Sequence, residues 1–303
     1  MTSPEFSRDP EGSAFGVADR ALPSGSRLNE SPSRRRRWSD ASFFGVLGTI
    51  GGSYVALIVL MLVADACYTT PDHIINALKK PEIGYAFRLT VVSCSVSAIL
   101  SLWVGTPLGY VLSRYRFPGR WIVDTLVDIP VVLPPLVLGL SLLILFHLKI
   151  GAWRLEDWLR DTLGFPVTYQ IPAVILAQFS VACAFAVRTM RVTFDEINPR
   201  AEDVARTLGC SRAQAFLQIA LPQAWRGMIA ALTISWARSL GEFGPILVFA
   251  GATRMRTEVL STTVFLELSV GNLEAAVAVS LVMVQLAVIV LVVLRALGMG
   301  TRA

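Results

Sequence analysis

The chain has 303 residues, 54% of them hydrophobic and only 16% charged, with 27 Lys+Arg against 22 Asp+Glu and a mean hydropathy of +0.59. A soluble domain carries about 25% charged residues, and a soluble protein this apolar would lack the polar surface to cover its core. Composition therefore excludes a soluble enzyme, a nucleic-acid binder and a secreted domain.

Residues 1–40 are rich in Ser, Gly, Pro and Arg and too poor in apolar side chains to offset ordering entropy, which predicts a disordered cytoplasmic tail ahead of a membrane domain at 41–303. Beyond the tail the charges are widely spaced. There are 24 uncharged residues between Asp40 and Asp65, 25 between Arg88 and Arg114, 20 between Asp128 and Lys149, 26 between Asp161 and Arg188, and 20 between Glu274 and Arg295. A sixth window, Gly227–Thr253, is broken only by Arg238 and Glu242. Each reaches the ~20 apolar residues that cross a bilayer as a helix. The expected fold is an all-α integral membrane protein, a six-span helical bundle with spans at about 43–64, 87–113, 125–148, 168–188, 225–252 and 274–295.

Six spans put both termini on one side. The connections on that side carry 18 Lys/Arg against 8 on the other, so the positive-inside bias places both ends in the cytoplasm. The Arg34–Arg37 cluster precedes the first span, where it faces anionic lipid. That span is too long for a signal h-region and is read as an uncleaved helix. Cys67, Cys94, Cys183 and Cys210 have no metal or disulfide spacing, and His73 and His147 have no ligand cluster, so no cofactor is expected on this chain.

The connection 188–226 is the informative one. Asn198-Pro199 opens a short helix, with Glu202 and Asp203 at its positive end and Gly209 at its left-handed stop. Ala201, Val204, Ala205 and Leu208 form one expected apolar face. Ser211 with Gln214 predicts a capping box for a second helix that Pro222 closes. From physics alone, such a helical pair either docks into a partner's groove or lies on the membrane surface.

Asp203-Val204-Ala205, then Gly209, then Ile219-Ala220-Leu221-Pro222 after nine residues, resembles the EAA loop of ABC importer permeases, E-A-A-x3-G-x9-I-x-L-P. Asp replaces the Glu and Val204 the first Ala, while every fixed position from Gly209 on matches. The resemblance implies a cytoplasmic coupling helix between spans 4 and 5, with Glu202, Asp203, Val204, Ala205, Leu208, Gly209, Ile219, Leu221 and Pro222 contacting a separate ATP-binding subunit. Ser239-Leu240-Gly241-Glu242-Phe243-Gly244 and Leu133-Pro134-Pro135-Leu136-Val137-Leu138-Gly139 resemble the molybdate/tungstate/sulfate-type permeases over about Leu89–Arg295. Pro245 departs from the usual Ala after GEFG. This resemblance implies a subunit of a bacterial inner membrane that carries molybdate, or tungstate or sulfate, as a homodimer. The implied partners are a dimer of ATPase subunits holding ATP-Mg, and an extracytoplasmic solute-binding protein. The alternatives are a sulfate permease in a heterodimer and a stand-alone secondary transporter.

Within the spans, Arg238 and Glu242 are each expensive if they face lipid, about 2.5–3.5 kcal/mol at the bilayer centre. Their i, i+4 spacing allows mutual neutralisation, either beside an anion pathway or as a structural ion pair. Pro134-Pro135 removes two backbone donors, which suits either a gate hinge or a static kink. Gly139, Gly241 and Gly244 permit close helix approach, and with Phe243 they complete the candidate pathway set. No G-x-x-x-x-G-K-[ST] segment occurs, so ATP hydrolysis is assigned to the partner.

Overall fold

The structure, a computed structural model, describes residues 34–68, 79–151, 153–164 and 166–299. Residues 1–33 of the expected tail at 1–40 lie outside these, as does His73, and Arg34–Asp40 are described within the first helix. Two compact units divide at Val59/Leu60. Helix α1 (Arg34–Tyr68) begins in the first, and its apolar stretch runs from Ser42 to Tyr68. Phe43, Phe44, Val46, Leu47 and Ile50 are exposed along it, as suits a helix surrounded by hydrocarbon.

The second unit is a helical bundle. Helix α2 (Pro81–Arg114) opens on a proline, whose missing N–H is not needed in a first turn, and ends before the Phe117-Pro118-Gly119 turn, where Gly119 has φ +85°. Its buried stripe is small: Ala86, Thr90, Cys94, Ser97, Ser101, Gly105 and Gly109. This lets α6 (Ile171–Glu196) lie close against it. A Cβ on Gly105 would sit 2.8 Å from Ala186 Cβ, and one on Gly109 2.8 Å from Met190 Cβ. Small residues at such a contact are how membrane helices pack without a hydrophobic driving force.

Helices α3 (Arg120–Val132) and α4 (Pro135–His147) meet at 115°. Leu133 and Pro134 each precede a proline and are forced extended, with ψ 137° and 133°. The expected straight span 125–148 is therefore two helices. Among the described residues the fold is all-helical as expected apart from a short antiparallel hairpin, β1 (Lys149–Ile150) with β2 (Trp153–Arg154). Helix α5 (Leu155–Leu163) follows, and its buried Glu156 accepts from Val167 N (2.9 Å) and Thr168 Oγ1 (2.7 Å).

After α6 come α7 (Arg200–Thr207), α8 (Arg212–Ala215), a π-helical turn at Phe216–Ala220 and α9 (Leu221–Gln223). The chain closes with α10 (Trp225–Leu240), α11 (Gly244–Phe249), α12 (Leu260–Ser269) and α13 (Leu273–Met299). The expected fifth span is thus α10 and α11 with a break between them. Among the described residues, four helices are long and apolar enough to cross a membrane, or five if the bent α3–α4 pair is one span. Two cores anchor the ends of the bundle. Phe146, Val174, Ala177, Ile246 and Phe249 fill the end near the hairpin, and Met190, Phe194, Ala220, Ala224 and Ala231 fill the end carrying α7.

Candidate functional site

Local chemistry builds α7. Asn198 Oδ1 accepts from Arg200 N at 3.0 Å, the cap bond the sequence suggested, and Pro199 already has helical backbone angles ahead of Arg200. At the far end Gly209 has φ +95°, Gly209 N donates to Arg206 O, and Cys210 N donates to Ala205 O at 3.0 Å. These are the two bonds of a Schellman stop. The capping box forms as well, with Ser211 N donating to Gln214 Oε1 (2.8 Å) and Gln214 N to Ser211 Oγ (3.3 Å).

Pro222 does not close the second helix. The π-helical turn, with Leu221 N bonded to Phe216 O, widens the backbone ahead of the proline, and the helical run continues through α9 towards Leu240. An extra residue in the turn relieves the clash a proline makes with the carbonyl four residues earlier.

The expected apolar face of α7 is split. Ala205 is buried and points the same way as Glu202, which is 7% exposed. Glu202 accepts from Tyr110 Oη at 2.6 Å and from Arg114 Nε at 2.9 Å, and Arg114 Nη2 also donates to Ile197 O at 2.9 Å. Tyr110 in turn packs on Phe194 and Phe216, with ring centroids 5.2 and 4.5 Å away. Glu202 is therefore a tie to α2 and not a surface residue. Ala201, Asp203, Val204 and Leu208 face outward, Leu208 at 81% exposure. Ile219 and Leu221 are half-buried and Pro222 is exposed.

The other candidate residues meet at the break between α10 and α11. Pro245 has no N–H to return to Gly241 O, which ends the helix at Gly241-Glu242-Phe243. A Cβ on Gly244 would lie 2.8 Å from Pro135 Cβ, and one on Gly139 2.7 Å from Pro245 Cα. The Pro-Pro segment and the Gly-Glu-Phe-Gly segment are thus one packed unit, with Pro134 exposed at its edge. Arg238 Nη1 stands 2.6 Å from Glu242 Oε2, with side-chain exposures of 33% and 1%. Among the described residues no hydrogen-bond donor is aligned on either Glu242 oxygen. The pair is a charge contact at a break, and Arg238 turns its guanidinium over the Phe185 ring at 5.9 Å.

Sequence reasoning missed three features. Asp124 and Asp128 on α3 pair with Arg191 (2.6 Å) and Arg188 (2.7 Å) on α6, two ion pairs that tie these helices together. The i, i+4 acids and i, i+3 bases were the available signal. The third feature lies at the hairpin end, where Arg254 bridges Glu267 (3.0 Å) and Glu82 (3.6 Å) beside Glu258. Glu258 is 1% exposed, and burial pushes its carboxyl above the usual range against the opposing pull of the Thr263 hydroxyl and Arg254. Among the described residues no group of three or more His, Cys, Asp or Glu is placed to hold a metal ion.

The chain is 33% identical over 216 residues to the sulfate transport system permease protein CysT of Escherichia coli (strain K12), covering 71% of this chain and 76% of that one. It is 31% identical over 252 residues to the molybdate/tungstate transport system permease protein WtpB of Thermococcus kodakarensis, covering 83% and 93%. The fold is that of a chain in a bacterial alginate ABC transporter, crystallised with an alginate pentasaccharide-bound periplasmic protein. That match has a TM-score of 0.67, 19% identity, and coverage of 87% of this chain and 97% of that one. A chain of the inward-facing MetNI methionine ABC transporter matches at TM-score 0.55 with 19% identity, covering 73% and 94%. Residues 105–302 match the family of binding-protein-dependent transport system inner membrane components, and the chain belongs to it as a permease subunit of an ABC importer.

Proposed function

We propose that the chain is one half of a six-span permease pair, with both ends in the cytoplasm of a bacterial inner membrane, that passes molybdate inward. Tungstate and sulfate, of the same tetrahedral dianionic chemistry, are the alternatives, and relatives named for each support the class. An external binding protein delivers the anion, and a cytoplasmic ATPase dimer holding ATP-Mg drives alternating access. The second permease is a copy of this chain.

The observation that carries this proposal is the split of α7. Glu202 and Ala205 hold the helix to the bundle, while Ala201, Val204 and Leu208 offer an outward apolar stripe flanked by Asp203 and Arg206. A membrane-surface helix would have to bury Asp203 and Arg206 against lipid beside Leu208. A protein cleft accepts the stripe and leaves both charges at its rim. Movement of the ATPase then reaches α2 through Glu202–Arg114 and α10 through the π-helical turn. To switch the bundle, ATPase binding has to differ between its two states by a few kcal/mol.

At the α10–α11 break, Arg238 supplies transient attraction to the oxyanion. Glu242 holds that attraction short of a trap, because a fully free guanidinium would retain the anion. The Pro134–Pro135 break and the Gly139/Gly244 contacts let α4 and α11 move as one unit. Reconstitution with the neighbouring binding protein and ATPase tests the function. ATP-driven uptake of labelled molybdate, reduced by excess tungstate or sulfate and abolished without the ATPase, is expected. Uptake by the chain alone on an ion gradient would reject it.

A further inference from the structure

A groove between α10 and α13, at the end carrying α7, has no part in this scheme. It encloses about 430 Å³, walled by Ile229, Ile234 and Leu294, with Arg226 and Arg295 also lining it. Arg226 is the second residue of α10 and Arg295 lies in the last turns of α13, so the two charges share one end. Ile234 lies about 12 Å deeper, at the helical rise of 1.5 Å per residue. Both arginines are exposed, and among the described residues neither forms an ion pair. Among the described residues no acidic side chain lines the groove. Trp225, half-exposed beside Arg226, suits the headgroup level of a bilayer.

Two like charges that converge on an apolar slot without a carboxylate have an anion with a hydrocarbon tail as their complement. We infer that this groove binds one anionic phospholipid, its phosphate between Arg226 and Arg295 and its acyl chain along Ile229 and Ile234. A free oxyanion would leave the apolar length of the slot empty, and a zwitterionic lipid would bring its own cation towards two guanidiniums. Basic pockets between membrane helices on the cytoplasmic side select anionic headgroups for this reason. The assignment to the inner leaflet rests on the orientation proposed above, whereas the binding itself does not.

Native mass spectrometry of the full chain in mild detergent, titrated with phosphatidylglycerol or phosphatidylcholine, tests the site. Retention of one phosphatidylglycerol per chain in preference to phosphatidylcholine is expected. Arg226→Gln and Arg295→Gln each weaken retention about fivefold. Ala230→Trp, which fills the groove and keeps both arginines, weakens it as well, while Arg116→Gln on another exposed arginine does not. Equal loss with Arg116→Gln would mean diffuse attraction and overturn the site. So would unchanged binding in the double variant, displacement by inorganic phosphate alone, or a dimer that Ala230→Trp separates with no lipid bound.

Discussion

Two glutamates, each beside an arginine, do opposite things in this protein. Glu202 receives aligned bonds from both Tyr110 and Arg114. Glu242 is more deeply buried and within 2.6 Å of Arg238, yet among the described residues no donor is aligned on its oxygens. The first is a satisfied network that fixes α7 to α2 and, in the proposed scheme, carries movement between them. The second is a charge held at a helix break with no donor aligned on it, at the place where the proposed anion pathway would have to rearrange. Proximity of opposite charges alone does not distinguish a strut from a moving part; alignment does.

The largest expected effect breaks the strut. Glu202→Ala leaves Arg114 mostly buried and unpaired and costs about 3 kcal/mol, seen as a fall in melting temperature and loss of ATPase association. The same substitution at Glu242 removes no aligned bond and is expected to cost less. A larger loss at Glu242 would erase the contrast. Next is Gly244→Val, which sets a side chain against Pro135 and costs about 2 kcal/mol through overpacking. It slows uptake while ATPase association persists. The smallest effect concerns Glu258, whose carboxyl is raised by burial. A raised folded-state pKa gives stability that is complete below the unfolded value near 4.5 and is lost as pH rises through the folded value. Glu258→Gln is therefore more stable than the parent above that window and equal to it below, as melting temperature against pH will report. An equal difference at every pH would assign the effect to packing.

Features set by neighbours in the chain were legible in the sequence. The Gly209 stop, the Ser211–Gln214 box and the Pro134–Pro135 break each depend on residues within a turn of one another. The tie from Glu202 into the bundle was not legible because its partners, Tyr110 and Arg114, lie 92 and 88 positions away. Helical periodicity also put Ala205 with Val204 and Leu208, since an alanine is apolar enough for either side of α7. Pro222 was read as a terminator because a proline ends an α-helix, and nothing local announces the π-helical turn that accommodates it. The packing of Gly139 and Gly244 against prolines of the opposite segment has no local sequence signal.

The outward stripe of α7 is the central claim, and one measurement reaches it directly. ATPase activity and molybdate uptake are recorded together for the reconstituted transporter carrying Leu208→Asp, a change at an 81%-exposed side chain that the fold does not need. Loss of ATPase binding by about thirtyfold, as for a buried contact of about 2 kcal/mol, with an unchanged melting temperature of the chain alone, is the expected result. Full coupling and wild-type uptake in that variant would contradict it.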